Sequence, residues 1–401
     1  MGLTNIALEV CKYILAVFVL RCLLVYSYRL LFHPLHSYPG PFFAKLTDWY
    51  GAYHALNRHL HITTYRDHQK WEIYHTDRLA KSRAYLVTQA SPSVYNLFNV
   101  VDKSLHRTRR RIVAQGLNDR AVRNFEPVLK HQVSIFIRQL VLASSEDDPI
   151  DMSDQCKRLT LDVSGELGFG RSFELQTSTA NRWMSGGDTV ASWLAGTFFY
   201  LSRYPSVYRR LAAEIRTAFT CPDDIRHGPT LSSCTYLRAC LDETLRISPP
   251  TNVTLWRDAP HDVGTNPLII DGHPIPPGTR LGVNIYAIHH NEAYFAEPFT
   301  YKPERWLPAE SGLSEEETKI MHSAFMPFSK GARNCAGIPV AYAEAGMVVA
   351  ETLWRFDFER SKDDTESAEK GRELVFRMED IAGSKHSGPL LNFRAREVHV
   401  K

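Results

Sequence analysis

The ten residues 328–337, FSKGARNCAG, set one cysteine, Cys335, among two glycines, an arginine and an aromatic residue. A sulfur that ligates a metal has to stand on a tight turn that no side chain obstructs. Gly331 and Gly337 provide for that turn, because glycine reaches backbone conformations closed to other residues. Pro339 suits the first turn of a following helix, whose dipole favours a thiolate over a thiol just ahead of it. Arg333 is placed to pair with an anionic group of a ligand, and Phe328 to keep water from the sulfur.

The spacing Phe-x-x-Gly-x-Arg-x-Cys-x-Gly resembles the haem-ligand loop of the cytochrome P-450 family at all its characteristic positions: Phe328, Gly331, Arg333, Cys335 and Gly337. With residue frequencies of a few per cent, these positions coincide by chance at about one start in a million. The resemblance implies haem b (iron protoporphyrin) with Cys335 as its axial thiolate. Glu243 and Arg246, in ETLR, share a helix face, and PERW presents Arg305 nearer the cysteine. Alone, Glu-x-x-Arg reads as a solvated ion pair. In the family, the corresponding three residues form a network that braces the haem-side core.

In HRTRRR, residues 106–111, His106 and Arg110 fall four apart on a predicted helix and so reach one place. The resemblance implies that both contact a haem propionate. SGGDTVAS, residues 185–192, resembles the family's oxygen-activation motif, with Gly186, Asp188 and Thr189 in register and with Ser185 and Val190 departing from it. By resemblance, Asp188 and Thr189 are the acid and alcohol that relay protons; the other reading is a helix N-cap. Asn252, Val253, Thr254 and Leu255, after SPP, face the substrate pocket by family position or simply enter a strand.

The bulk properties agree with a folded enzyme: 401 residues, 44% hydrophobic and 23% charged. Basic and acidic residues, 47 against 44, are too balanced to mark nucleic acid as a general partner. Seven scattered cysteines show neither the CxxC spacing of zinc sites nor a disulfide framework. YILAVFVLRCLLVY, residues 13–26, is apolar apart from Arg21 and reads as a membrane anchor. Arg21, Arg29 and Lys45 would hold the chain beyond it on the cytosolic side, and the resemblance implies that the membrane is the endoplasmic reticulum. Residues 1–32 are thus expected as anchor and flank, and 33–401 as the haem-thiolate catalytic domain. Pro34, Pro39 and Pro41 predict an extended linker between them.

Helical periodicity over 105–142, the break at Pro205, the helix ending before Pro249 and a long helix over 339–356 give a mainly α chain. Short β-prone runs between Thr254 and Asn284, with turns at Asp271-Gly272 and Pro277-Gly278, add a minor sheet. The expected fold is that of the cytochrome P-450 family, shorter than the family habitually runs by roughly a hundred residues. Two joints are abrupt. Near 70–73 the first sheet strands are missing, and between 175 and 186 the helices that roof the substrate pocket are missing.

The resemblance implies a membrane-anchored monooxygenase that takes electrons from an NADPH-dependent reductase and inserts one oxygen atom into an apolar organic substrate, in fungal secondary metabolism. A non-catalytic haem-binding or degenerate truncated form is the alternative that the missing roof motivates. A haem-thiolate isomerase or dehydratase is a further alternative, motivated by Ser185 and Val190.

Overall fold

A computed structural model describes residues 3–38, 40–67, 79–89, 91, 94–145, 148–178, 189–261, 268–270, 273–364, 375–380 and 384–396. Helix dominates, as expected. Two helices form the centre because apolar residues cover most of their circumference: Thr189–Arg203, buried from Ala191 to Leu201, and Ile338–Arg355, buried from Ala343 to Trp354. Around them pack Asp119–Ser144, Met152–Phe169, Pro205–Ala218 and Thr235–Ile247.

The boundaries follow from local chemistry. Asp102 caps Lys103–Gly116 by accepting the Leu105 N–H at 2.6 Å. Gly170, at φ 69°, ends Met152–Phe169 in the left-handed conformation that glycine tolerates. Pro205 opens the helix after Arg203, where its missing N–H costs nothing.

All sheets are small and antiparallel. One orders Ala80–Lys81, Thr254–Asp258 and Arg280–Asn284, with Lys81 directly opposite Arg257 and Thr254 opposite Asn284. Another pairs the closing strand Leu390–Ala395 with Phe356–Arg360 on one side and Ile150–Asp151 on the other. The joint near 70–73 and the Asp271-Gly272 turn lie outside the described residues, as does most of the joint between 175 and 186.

The N-terminal expectation is corrected in two respects. Residues 13–26 do lie in one continuous helix, Leu3–Leu31, but among the described residues no helix is long and apolar enough to cross a membrane. Glu9, Lys12, Arg21 and Arg29 interrupt its apolar surface. Arg29 is also committed to the body of the protein, donating to Asp48 at 2.9 Å and to the Leu46 carbonyl at 3.1 Å. After Leu31 the chain is not extended: consecutive turns, closed by His36 N to His33 O and Tyr38 N to Leu35 O, fold it back. The apolar side chains of the helix remain exposed, with Ile14 and Leu24 at 63%.

Candidate functional site

The cysteine loop leaves the helix Glu315–Ala324 and ends at Ile338–Arg355. Its turns are closed by backbone bonds: Ser329 N to Met326 O at 2.9 Å, Asn334 N to Gly331 O at 3.1 Å and Cys335 N to Phe328 O at 2.9 Å. Gly331 has φ 75° and is therefore held to glycine by the turn itself. Gly337 does something different from what its sequence position implied. Its φ is −86°, open to any residue, but a Cβ there would stand 3.9 Å from Cys335 Sγ and nothing else. A bare Gly337 keeps one side of the sulfur clear.

Cys335 is exposed and free, just ahead of the N-terminus of an 18-residue helix. Phe328 is half-buried and packs edge-on against Trp193, ring centroids 6.2 Å apart.

Glu243, Arg246 and Arg305 come together as expected, and deep inside the protein. Glu243 and Arg246 are fully buried and Arg305 nearly so. Both Glu243 oxygens accept from Arg246, at 2.8 and 2.9 Å, and Arg305 Nε lies 3.1 Å away. Trp306 Nε1 and the Lys302 N–H complete the carboxylate at 3.0 Å each. Arg246 spends its remaining donors on the carbonyls of His289, Pro298 and Thr300, and Arg305 on that of Ala296. A buried pair with every lone pair and proton satisfied escapes the desolvation penalty of an unpaired charge. It holds the end of Thr235–Ile247 against the 289–306 segment that leads to the cysteine loop.

The helix Lys103–Gly116 brings His106 and Arg110 to the same side, where they part ways. Arg110 donates to the carbonyl and side-chain oxygen of Asn334 and, at 3.4 Å, to the Cys335 carbonyl. His106 is buried beside Lys81, Arg110 and Arg333, and burial first, then those cations, push its pKa down to about 4. Arg333 donates to the carbonyls of Val100 and Val101, at 2.6 and 2.9 Å.

Two further cations join them that the sequence did not disclose, Lys81 and Arg257, both about nine-tenths buried and paired across neighbouring strands. Like charges directly opposite on antiparallel strands repel. Burial, with Arg257 and Arg333 beside it, drives the Lys81 pKa down to about 7, and burial with Arg257 drives that of Arg333 down to about 10. Asp102 offsets Arg333 in part. Such a concentration of partly buried positive charge beside the cysteine loop fits a ligand with at least one carboxylate, and the two propionates of haem answer that description. Neither LAKSR nor LWRDAP carries a motif; only pairing across the sheet brings the two cations together.

The remaining expected residues divide. Asp188 lies outside the described residues, and Thr189 is the exposed first residue of Thr189–Arg203. Asn252 is fully buried with neither end of its side-chain amide hydrogen-bonded, while its carbonyl accepts from Asn284 Nδ2 at 3.0 Å. Thr254 is buried over Gly282, where a Cβ would meet its methyl at 2.6 Å. Val253 and Leu255 are half-exposed.

Comparison with known proteins agrees with this geometry. The family model described as Cytochrome P450 matches in two stretches, residues 32–185 and 174–381. The cytochrome P450 monooxygenase apf7 of Gibberella fujikuroi is 28% identical, over 94% of this chain and 96% of the relative. The cytochrome P450 monooxygenase poxM of Penicillium oxalicum is 29% identical, over 92% of this chain and 91% of the relative. The cytochrome P450 monooxygenase lcsN of Purpureocillium lilacinum is 37% identical, over 67% of this chain and 79% of the relative. The first two alignments run to 515 and 484 residues, longer than the chain itself, so these relatives carry segments with no counterpart here.

Proposed function

The chain belongs to the cytochrome P450 family, whose members are oxidoreductases of the monooxygenase type, and from that premise we propose that it is a membrane-associated haem-thiolate monooxygenase acting on an apolar organic substrate. The observation that carries this reading is the excess of buried and partly buried positive charge at Lys81, Arg257 and Arg333, beside a loop that presents an exposed cysteine.

Haem, when bound, supplies reductive activation of dioxygen and insertion of one oxygen atom into the substrate. The chain's own residues do the rest. Cys335 would hold the haem iron through its sulfur. Lys81, Arg257, Arg333 and His106 would hold the propionates, and Arg110 fixes the loop backbone on the cysteine side. Phe328 limits water at the sulfur. Asp188 and Thr189 pass protons from solvent into the pocket. Electrons come from an NADPH-dependent reductase, the usual partner type of the family. From Leu8 onward, Leu3–Leu31 exposes apolar side chains, which favours association with lipid and a place at the endoplasmic reticulum. A role in fungal secondary metabolism rests on the resemblance.

The reduced, carbon-monoxide-treated protein tests the assignment. A red-shifted Soret band of the thiolate type is expected, lost in Cys335→Ser; a histidine-type band in the unaltered protein would reject it. Flotation with liposomes tests the helix: the full chain should rise with the lipid, and a chain starting at residue 33 should stay behind.

A second reading has its own support. The family match passes from one stretch to the other within residues 174–185, where the roof helices were expected to be missing, and the alignments of the relatives overrun the chain. We propose that the pocket is correspondingly open, so that NADPH is consumed with little product. Tight coupling of NADPH to product would refute this.

A further inference from the structure

His289 belongs to no motif in the sequence, yet it joins the two halves of the site. It is fully buried at the end of Ile285–His289, stacked on Phe325 and edge-on to Phe295. The Met326 N–H donates to its Nε2 at 2.9 Å. A backbone N–H can only donate, so Nε2 keeps its lone pair and the ring proton sits on Nδ1. Nδ1 lies 3.2 Å from the Arg246 carbonyl, to which it therefore donates. Burial, then Arg246, keeps the ring neutral and lowers its pKa to about 3.

The connections on either side are equally definite. Arg246 is clamped by Glu243, and its NH1 returns to the His289 carbonyl at 2.9 Å. Met326 O accepts from Ser329, and two residues after Met326 the Phe328 carbonyl accepts the Cys335 N–H. A hydrogen-bonded line thus runs from a buried carboxylate to the residue that carries the sulfur.

We propose that His289 is a positioning residue, which transmits the register of the Glu243–Arg246–Arg305 network to the start of the cysteine loop and so fixes where Cys335 stands. The part concerning haem rests on the haem-thiolate reading; the part concerning the loop does not.

Three variants of the full chain test it. His289→Gln can place an oxygen where Nε2 stood and accept from Met326. His289→Asn reaches only the Arg246 side, and His289→Phe keeps the ring without either bond. In haem-free protein, the alkylation rate of Cys335 by N-ethylmaleimide is read by peptide mass mapping, with Cys221 as internal reference. In loaded protein, the thiolate-type share of the reduced carbon monoxide spectrum is read at equal haem content. His289→Asn and His289→Phe should raise Cys335 alkylation by about fivefold, the loss of one net hydrogen bond, leave Cys221 unchanged and lower the thiolate share. His289→Gln should restore most of both. If His289→Phe fails to fold, the Asn and Gln pair decides. Unchanged alkylation and spectrum in folded His289→Asn, or a Gln variant no better than Asn, would overturn the proposal. If the unaltered protein shows no thiolate band, the haem reading fails while the alkylation arm still decides the loop.

Discussion

Lys81 and Arg257 face each other across two antiparallel strands, both about nine-tenths buried, with Lys81 Nζ capped by the rings of Tyr85 and Phe98 at 4.1 and 4.2 Å. Two cations so placed work against folding until an anion joins them. Lys81→Met, which keeps the aliphatic stem, should therefore raise the thermal midpoint of the haem-free protein while speeding haem loss to apomyoglobin from the loaded one. A fall in both would show that the cluster is not built for an anionic ligand.

Among the described residues, Glu243 is the carboxylate that pairs with both Arg246 and Arg305. Glu243→Ala strands two buried guanidinium groups and should cost roughly 3–5 kcal/mol, a large part of a typical domain's stability. Little folded protein is expected, judged by size exclusion and urea denaturation. Near-normal yield and midpoint would mean that water reaches the network.

The two loop glycines should respond differently. Gly331→Ala forces a side chain into φ 75°, at about 1–2 kcal/mol, and should loosen the whole loop. Gly337→Ala meets only Cys335 Sγ at 3.9 Å, so it should fold normally but load less haem. Haem content per folded protein, compared between the two, checks this.

Five buried histidines among the described residues make the protein acid-sensitive, His290 being held well below its ordinary value by burial. His61 and His106 are depressed to about 4, and His289 and His386 to about 3, each first by burial. In the unfolded chain each titrates near its ordinary 6.5, so below that pH the unfolded state binds protons that the folded state refuses. Their contribution is full above pH 6.5 and falls as the pH drops towards the folded values, by at most ~1.4 kcal/mol per histidine per pH unit. Urea midpoints should drop steeply from pH 7 to pH 5; a flat profile would count against these burials.

Much of this was legible in the chain, and the reasons differ by residue. Cys335, Gly331 and Arg333 stand in one short loop, so spacing alone brings them forward as candidates. Glu243 and Arg246 share a helix face, and periodicity suffices. The helices announced themselves through apolar periodicity and prolines, the break at Pro205 included. Length and apolar content did not reveal that charges along Leu3–Leu31 interrupt its surface, nor that Arg29 is drawn to Asp48.

Local order along the chain settles what neighbouring residues do, because a turn or a helix face is made from residues a few positions apart. That is why the sequence by itself determined the family, the cysteine loop and the helical plan. Lys81 with Arg257, and Arg246 with His289 and Met326, are separated by tens to hundreds of positions and meet only through strand pairing and burial. Their charges and tautomers depend on the surroundings from which water is excluded, and only the folded chain supplies those.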